Sequence, residues 1–259
     1  MKQQSIVLID LILILMFIIS FSCSEQIEEI KKVKEIKLIK IESNADGNMW
    51  IENYFYNLDG VLCQVVNSES FRGRYEIQYL NKKLTEYSMF RIADGKKLFR
   101  DSVAYDSLGR IQKIFNYSIN SGTELPLTWI YEYEYDHLGK LSKRSFYSKI
   151  AEVYFWYEKY FWNGSNIIRM EEYCESKEIC YEYFYTYDNK VNYKANIPIY
   201  ISDPLNWCEN NVTSMNWYDY HGNLDIICRP CVTSYKYNLE NYPIEIITNW
   251  GFRSILTYK

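Results

Sequence analysis

The side chains able to do chemistry are present in this chain, but they are scattered. The two histidines, His137 and His221, each fall inside a turn-forming segment, where an imidazole is usually solvated. A Ser-His-Asp relay or a zinc centre needs its members to converge, and no spacing here brings them together. No phosphate-cradling glycine loop and no zincin pattern occurs. The 33 acidic residues could supply the carboxylate pair of a glycoside hydrolase, but such pairs come from distant strands and nothing singles one out. The sequence therefore predicts a protein that is not an enzyme and that holds no metal and no cofactor. Cys228-Arg229-Pro230-Cys231 has the spacing of a redox CxxC, yet it lacks the strand-then-helix setting of a thioredoxin-like motif, so structural or free cysteines are expected there.

The aromatic residues are the one hint of binding. Tyr154-Phe155-Trp156-Tyr157 and Tyr160-Phe161-Trp162 form a dense block. On a regular strand Tyr154 and Trp156 share one face, and Phe155 and Tyr157 the other. Trp156, Trp162 and Tyr154 are thus the candidate platform for stacking on a sugar ring or on a partner's apolar side chain. The alternative is cross-strand packing at about 0.2–1 kcal/mol per pair, which needs no ligand.

The start of the chain predicts export. Lys2 precedes a short apolar run, Leu11 to Phe21, below the roughly 20 residues of a membrane span. The run ends in Ser20-Phe21-Ser22-Cys23, which resembles a bacterial lipobox with Ser20 in place of the usual Leu. That resemblance implies cleavage before Cys23 and its acylation, hence a membrane partner through lipid. Of the six other cysteines, Cys174 and Cys180 flank a short loop between two strands and are the expected disulfide. The net charge of −4 argues against nucleic acid as a partner.

What must position these residues is a repeat. Tyr, then Asp or Asn, two residues, Gly, one residue and Leu or Ile runs through the chain. It appears as Tyr56-Asn57-Leu58-Asp59-Gly60-Val61-Leu62, and again from Tyr105 to Ile111, Tyr135 to Leu141 and Tyr218 to Leu224. Tyr237 to Pro243 carries Asn241 in the Gly slot, Phe161 to Ile167 is a degenerate copy, and shortened copies start at Tyr79 and Tyr187. Asp or Asn opens a type I turn by accepting from amides just ahead, and Gly then takes positive φ in the bulge that returns the chain as a strand. These Asp residues are turn formers first.

Between turns the strands alternate. Tyr131, Tyr133 and Tyr135 oppose Glu132, Glu134 and Asp136, and Tyr181 to Tyr187 repeat the pattern. Period two with a charged face means a sheet wetted on one side, and not the apolar outer band of a membrane-spanning barrel. Eight turns give up to about sixteen strands. Residues 27–36, with Ile27, Ile30, Val33 and Ile36 every three positions, are either a helix or a tether into a first strand at 36–41. The expected organisation is a signal peptide over 1–22, lipid-attachment Cys and tether over 23–44, and one hairpin-repeat domain over 45–259.

The Tyr-Asp-x-x-Gly units resemble YD (Rhs-type) repeats. Asn210-Asn211-Val212-Thr213-Ser214, the unit at Tyr218 and Tyr242-Pro243-Ile244-Glu245-Ile246 resemble a family of gut-bacterial lipoproteins of unknown function with a porin-like fold. The resemblance covers roughly 45 to 259. It implies an all-β antiparallel meander of repeated hairpins, soluble, forming a curved sheet or porin-like barrel behind a lipoprotein signal. It also implies an exported protein, lipid-anchored to the bacterial cell envelope at the outer membrane. Two roles follow as expectations: a non-catalytic binding module for a glycan or envelope protein, or a structural or assembly protein of the envelope without small-ligand binding.

Overall fold

A computed structural model describes residues 37–45, 47–68, 73–118, 126–174, 178–195, 197–220, 226–227 and 230–259. The signal segment, Cys23, most of the tether, His221 and Cys228 lie outside the described residues.

The repeat folds as its chemistry demands. Asp106 Oδ1 accepts from the Leu108 and Arg110 amides at 3.0 and 2.8 Å, and the Gly109 amide donates to the Asp106 carbonyl with Gly109 at φ 79°. Asp136 makes the same two bonds to Leu138 and Lys140. Asn238 makes them to Glu240 and Tyr242, with Asn241 at φ 66° in the Gly slot. Asn is the residue besides Gly that visits this left-handed region most readily. The Arg110 amide, as part of the turn, holds the Asp106 carboxyl below its ordinary range.

These turns separate the strands β1 (Leu38–Ala45), β2 (Asn48–Tyr56), β3 (Leu62–Asn67), β4 (Arg74–Leu80), β5 (Lys83–Phe90), β6 (Lys97–Tyr105), β7 (Ile111–Ser118), β8 (Leu127–Tyr135) and β9 (Leu141–Ser148). They continue as β10 (Val153–Asn163), β11 (Asn166–Tyr173), β12 (Ile179–Val191), β13 (Asn210–Asp219), β14 (Ile226–Ile227), β15 (Cys231–Tyr237), β16 (Pro243–Thr248) and β17 (Arg253–Tyr258). Apart from the two-residue β14, which pairs with β13 alone, each pairs antiparallel with the strands before and after it, and β17 returns to β1 with Leu256 opposite Ile41. The result is a closed barrel of 16 strands, with the two-residue β14 pairing at the far end of β13 and β15 completing the ring. Closure leaves no open sheet edge among the described strands. Because β1 begins at Leu38, the barrel takes in residues 38–44, which the sequence reading places in the tether.

The two faces of the wall differ in kind. Outward positions carry ion pairs in most sectors: Arg74–Glu76, Lys113–Glu132, Lys143–Glu134, Arg169–Glu171 and Glu245 between Lys236 and Arg253. A charge facing lipid at mid-membrane costs about 2–4 kcal/mol for Arg or Lys, so this is a wall for water. Inward positions carry Leu62, Val65, Ile77, Ile114, Leu141 and Ile167, all buried, among many tyrosines.

The connection from β12 to β13 breaks the pattern of tight turns. It runs from Asn192 to Glu209, turns inward through short 3-10 segments at Pro198–Tyr200 and Pro204–Trp207, and plugs the lumen. Ile197 joins the core with Leu38, Tyr54, Ile77 and Tyr87 on one side. Trp207 stacks on Tyr133 on the other, with ring centroids 5.5 Å apart. Asn192 Nδ2 donates to the carbonyls of Leu205 and Cys208, and Trp207 Nε1 to that of Ile201, so the plug satisfies much of its own backbone.

Candidate binding site

Aromatic residues at or near the repeat turns do more than pack. Tyr105 Oη donates to the Leu84 carbonyl at 2.8 Å, Tyr135 to Ile111 at 2.7 Å and Tyr56 to Leu38 at 2.8 Å. Tyr187, Tyr235 and Tyr258 donate likewise to Ile167, Val212 and Pro243. In the degenerate copy Trp162 Nε1 takes the same part, donating to Leu141 at 2.7 Å. In every case the donor lies towards the end of one strand of a pair and the acceptor towards the start of the other. A ring of staples thus fixes the rim where the turns lie.

On that wall the candidate platform is divided. A bulge between Tyr154 and Trp156 reverses the expected alternation. Trp156 points into the lumen. Tyr154 instead lies on the outer wall beside Tyr147, its hydroxyl donating to Glu132 at 2.7 Å, which pushes its pKa up to about 12. Trp162 sits at the stapled rim. The three residues are therefore not brought together.

What the structure does bring together is a stack that crosses three strands. Phe146 lies between Trp129, 4.6 Å away between centroids, and Trp156, 4.9 Å away and nearly parallel at 7°. Tyr131 tilts against Phe146 at 5.2 Å. All four rings are half-buried, so part of each surface faces the lumen. Arg144 lies 5.4 Å from the ring centres of both Trp156 and Tyr131. Burial works against its charge, but the Glu158 carboxylate beside it outweighs this and holds the guanidinium protonated. Glu158 also accepts from Tyr160 Oη. On the same wall, two strands from Trp129, Asp101, 5 % exposed, accepts from Tyr87 Oη and Asn116 Nδ2, and its burial raises its pKa.

This arrangement offers apolar ring faces next to fixed charged hydrogen-bonding groups, the chemistry that grips a sugar's CH face and its hydroxyls together. It offers no nucleophile paired with a base. Among the described residues no group of three or more His, Cys, Asp or Glu is arranged to hold a metal ion. His137 is exposed in the turn between β8 and β9. Cys174 and Cys180 are joined by a disulfide, while Cys63, Cys208 and Cys231 are free. Cys208 is buried, accepts from the Ile167 amide at 3.3 Å, and burial pushes its thiol pKa up. Reading along the chain singled out neither Trp129 nor Phe146, since the rings they stack with lie on other strands. The available signal was their common place in successive alternating strands.

No family model matches the chain, and no curated protein matches its sequence. Among solved structures it is similar to a porin-like protein from Bacteroides uniformis, with a TM-score of 0.55 at 8% identity, over 86% of this chain and 96% of that one. It is also similar to a porin-like protein from Bacteroides vulgatus, with a TM-score of 0.46 at 12% identity, over 86% and 98% of the two chains. These likenesses are of fold.

Proposed function

We propose that this chain is an exported protein, lipid-anchored through Cys23 to the outer membrane of a bacterial envelope, whose barrel is a non-catalytic receptor for glycan. The observation that carries the reading is the Trp129–Phe146–Trp156 stack, half-buried on the lumen wall with Arg144 and Glu158 beside it. Aromatic faces flanked by fixed charged groups suit a sugar ring better than they suit an apolar partner. The plug supports a receptor and not a channel, because Ile197, Tyr200, Ile201, Leu205 and Trp207 pack into the lumen that a ring of 16 strands would otherwise leave open. The porin-like neighbours from Bacteroides support an envelope setting to the extent that fold does.

A glycan array probed with the purified full chain tests the proposal. The expected result is reproducible binding that Trp156→Ala and Trp129→Ala each weaken by about tenfold, or about 1.4 kcal/mol, in line with the loss of an aromatic stacking partner. Tyr154→Ala, on the outer wall, leaves binding unchanged. No binding from protein with an intact barrel would remove the glycan reading. It would leave the assembly role, which with no open edge among the described strands would have to use the charged outer wall.

A further inference from the structure

Behind the plug, away from the aromatic stack, lies a second cavity of about 200 Å³ bounded by β12, β13 and β15. At roughly 30 Å³ per water it has room for about seven waters, and so for one molecule the size of an amino acid. Two opposite charges line it, Lys194 and Asp203, both from the plug. Lys194 lies within the lumen, its ammonium against the ring faces of Tyr200 and Tyr193, 5.0 and 5.6 Å from their centres. It keeps accessible surface all the same, and it lines this cavity and a smaller one of about 160 Å³ beneath the plug. Among the described residues no carboxylate ion-pairs with it. Asp203 spends Oδ1 on the Leu205 amide at 3.1 Å, capping the short turn that follows, and its residue is exposed to the lumen. The remaining wall sets the aromatic and apolar side chains of Tyr185, Tyr235, Met215 and Val212 beside the polar ones of Asn192, Asn206, Asn211 and Thr233.

A lone buried ammonium would draw any anion, and a lone carboxylate any cation. Here each charge discourages the ligand the other would take. A ligand that carries both charges satisfies both, and its side chain then meets the part of the wall formed by Tyr185, Tyr235, Met215 and Val212. From this we infer that the cavity is a binding site for a free α-amino acid with an apolar or aromatic side chain, its carboxylate on Lys194 and its ammonium on Asp203. The site is independent of the glycan reading, since it uses none of the stacked rings.

Calorimetry of the purified full chain against a panel of free L-amino acids tests it. An apolar or aromatic amino acid is expected to bind. The matching amine, without the carboxylate, and the matching acid, without the amine, should each bind at least about tenfold more weakly. Those comparisons use unaltered protein, so they stand even if a variant fails to fold. Asp203→Asn keeps a good capping side chain and should erase the preference for the amine, and Lys194→Met the preference for the carboxylate. No binding of any amino acid overturns the inference. So does equal binding of the amine and the acid, or affinity that survives both substitutions.

Discussion

Arg144 and Glu158 meet in the lumen as a two-pronged ion pair across β9 and β10, with Nε 2.7 Å from Oε2 and Nη2 2.8 Å from Oε1. Their side chains are 12% and 6% exposed. The third guanidinium nitrogen donates to the Ser202 carbonyl in the plug. One residue thus ties two strands of the wall to the segment inside it. Removing one partner of such a pair leaves a buried charge uncompensated, at about 3–5 kcal/mol. Glu158→Gln is therefore expected to lower unfolding stability in urea by about 3 kcal/mol. Replacing both residues, as Arg144→Met with Glu158→Leu, should recover most of that loss. A single substitution costing under about 1 kcal/mol would show that the pair is well hydrated.

The staples predict a contrast between two tyrosines on one strand. Tyr135 Oη donates to Ile111, whereas the buried Tyr133 hydroxyl has no hydrogen-bond partner in the described structure. Tyr135→Phe should cost about 1–2 kcal/mol, since it strands a carbonyl, and Tyr133→Phe should cost nothing or stabilise slightly. Equal losses in denaturant titrations would mean that the ring faces, and not the hydroxyls, hold the rim.

Asp101 gives a pH dependence with a definite sign. Burial raises its folded pKa above the unfolded value, although Tyr87 and Asn116 donate to it. Its contribution to stability is then fully present below the unfolded carboxylate pKa and is lost as pH rises through the folded one. Asp101→Asn should equal or exceed the parent chain in stability at neutral pH. The gap should close as pH falls through the carboxylate range. A gap that widens on acidification would reverse the sign and the account.

The Cys174–Cys180 bridge closes a short loop, with a sequence separation of 6. Loop-closure entropy for so few residues is worth about 2 kcal/mol. The expected outcome of Cys174→Ser with Cys180→Ser is a loss of about that size, with the strand signature in circular dichroism unchanged. Collapse of the barrel would mean that the bridge organises more than the connection between β11 and β12.

The proposed anchor predicts a change of compartment. Expressed in a bacterium with lipoprotein export, the chain should partition with membranes and carry acyl mass at Cys23, and Cys23→Ser should release it. A parent chain recovered in the soluble fraction, without added mass, would reject the anchor and leave the barrel's binding readings in place.

The hairpins were legible because their cause is local. Asp136 and Gly139 lie three residues apart and need no distant contact to form their turn, and the same holds for Asp106 and Gly109. The alternation of β8 was legible too, because Tyr131, Tyr133 and Tyr135 sit on a regular stretch. One extra residue in the bulge after Tyr154 sufficed to defeat the same logic in β10, since a single slip exchanges the two faces. The lumen stack joins Trp129, Phe146 and Trp156, whose relation depends on strand register that no one segment encodes. The plug was hidden for a related reason. The inward course of the connection between β12 and β13 depends on Ile197 and Trp207 finding walls contributed by distant strands, which no local pattern states. The second cavity needs that inward course before it exists at all.

The wall and the plug obey different rules of size. Each hairpin satisfies its own turn, and the staples join one repeat only to the one before it, so a ring with one hairpin more or fewer could keep the same bonds between successive units. The plug is not divisible in this way. Tyr200 meets Tyr54 and Glu52 on one side of the lumen, while Trp207 meets Tyr133 and Ser202 meets Arg144 on the other. It spans the barrel as a gauge block spans a bore, and it sets the circumference of a wall whose own units would accept several.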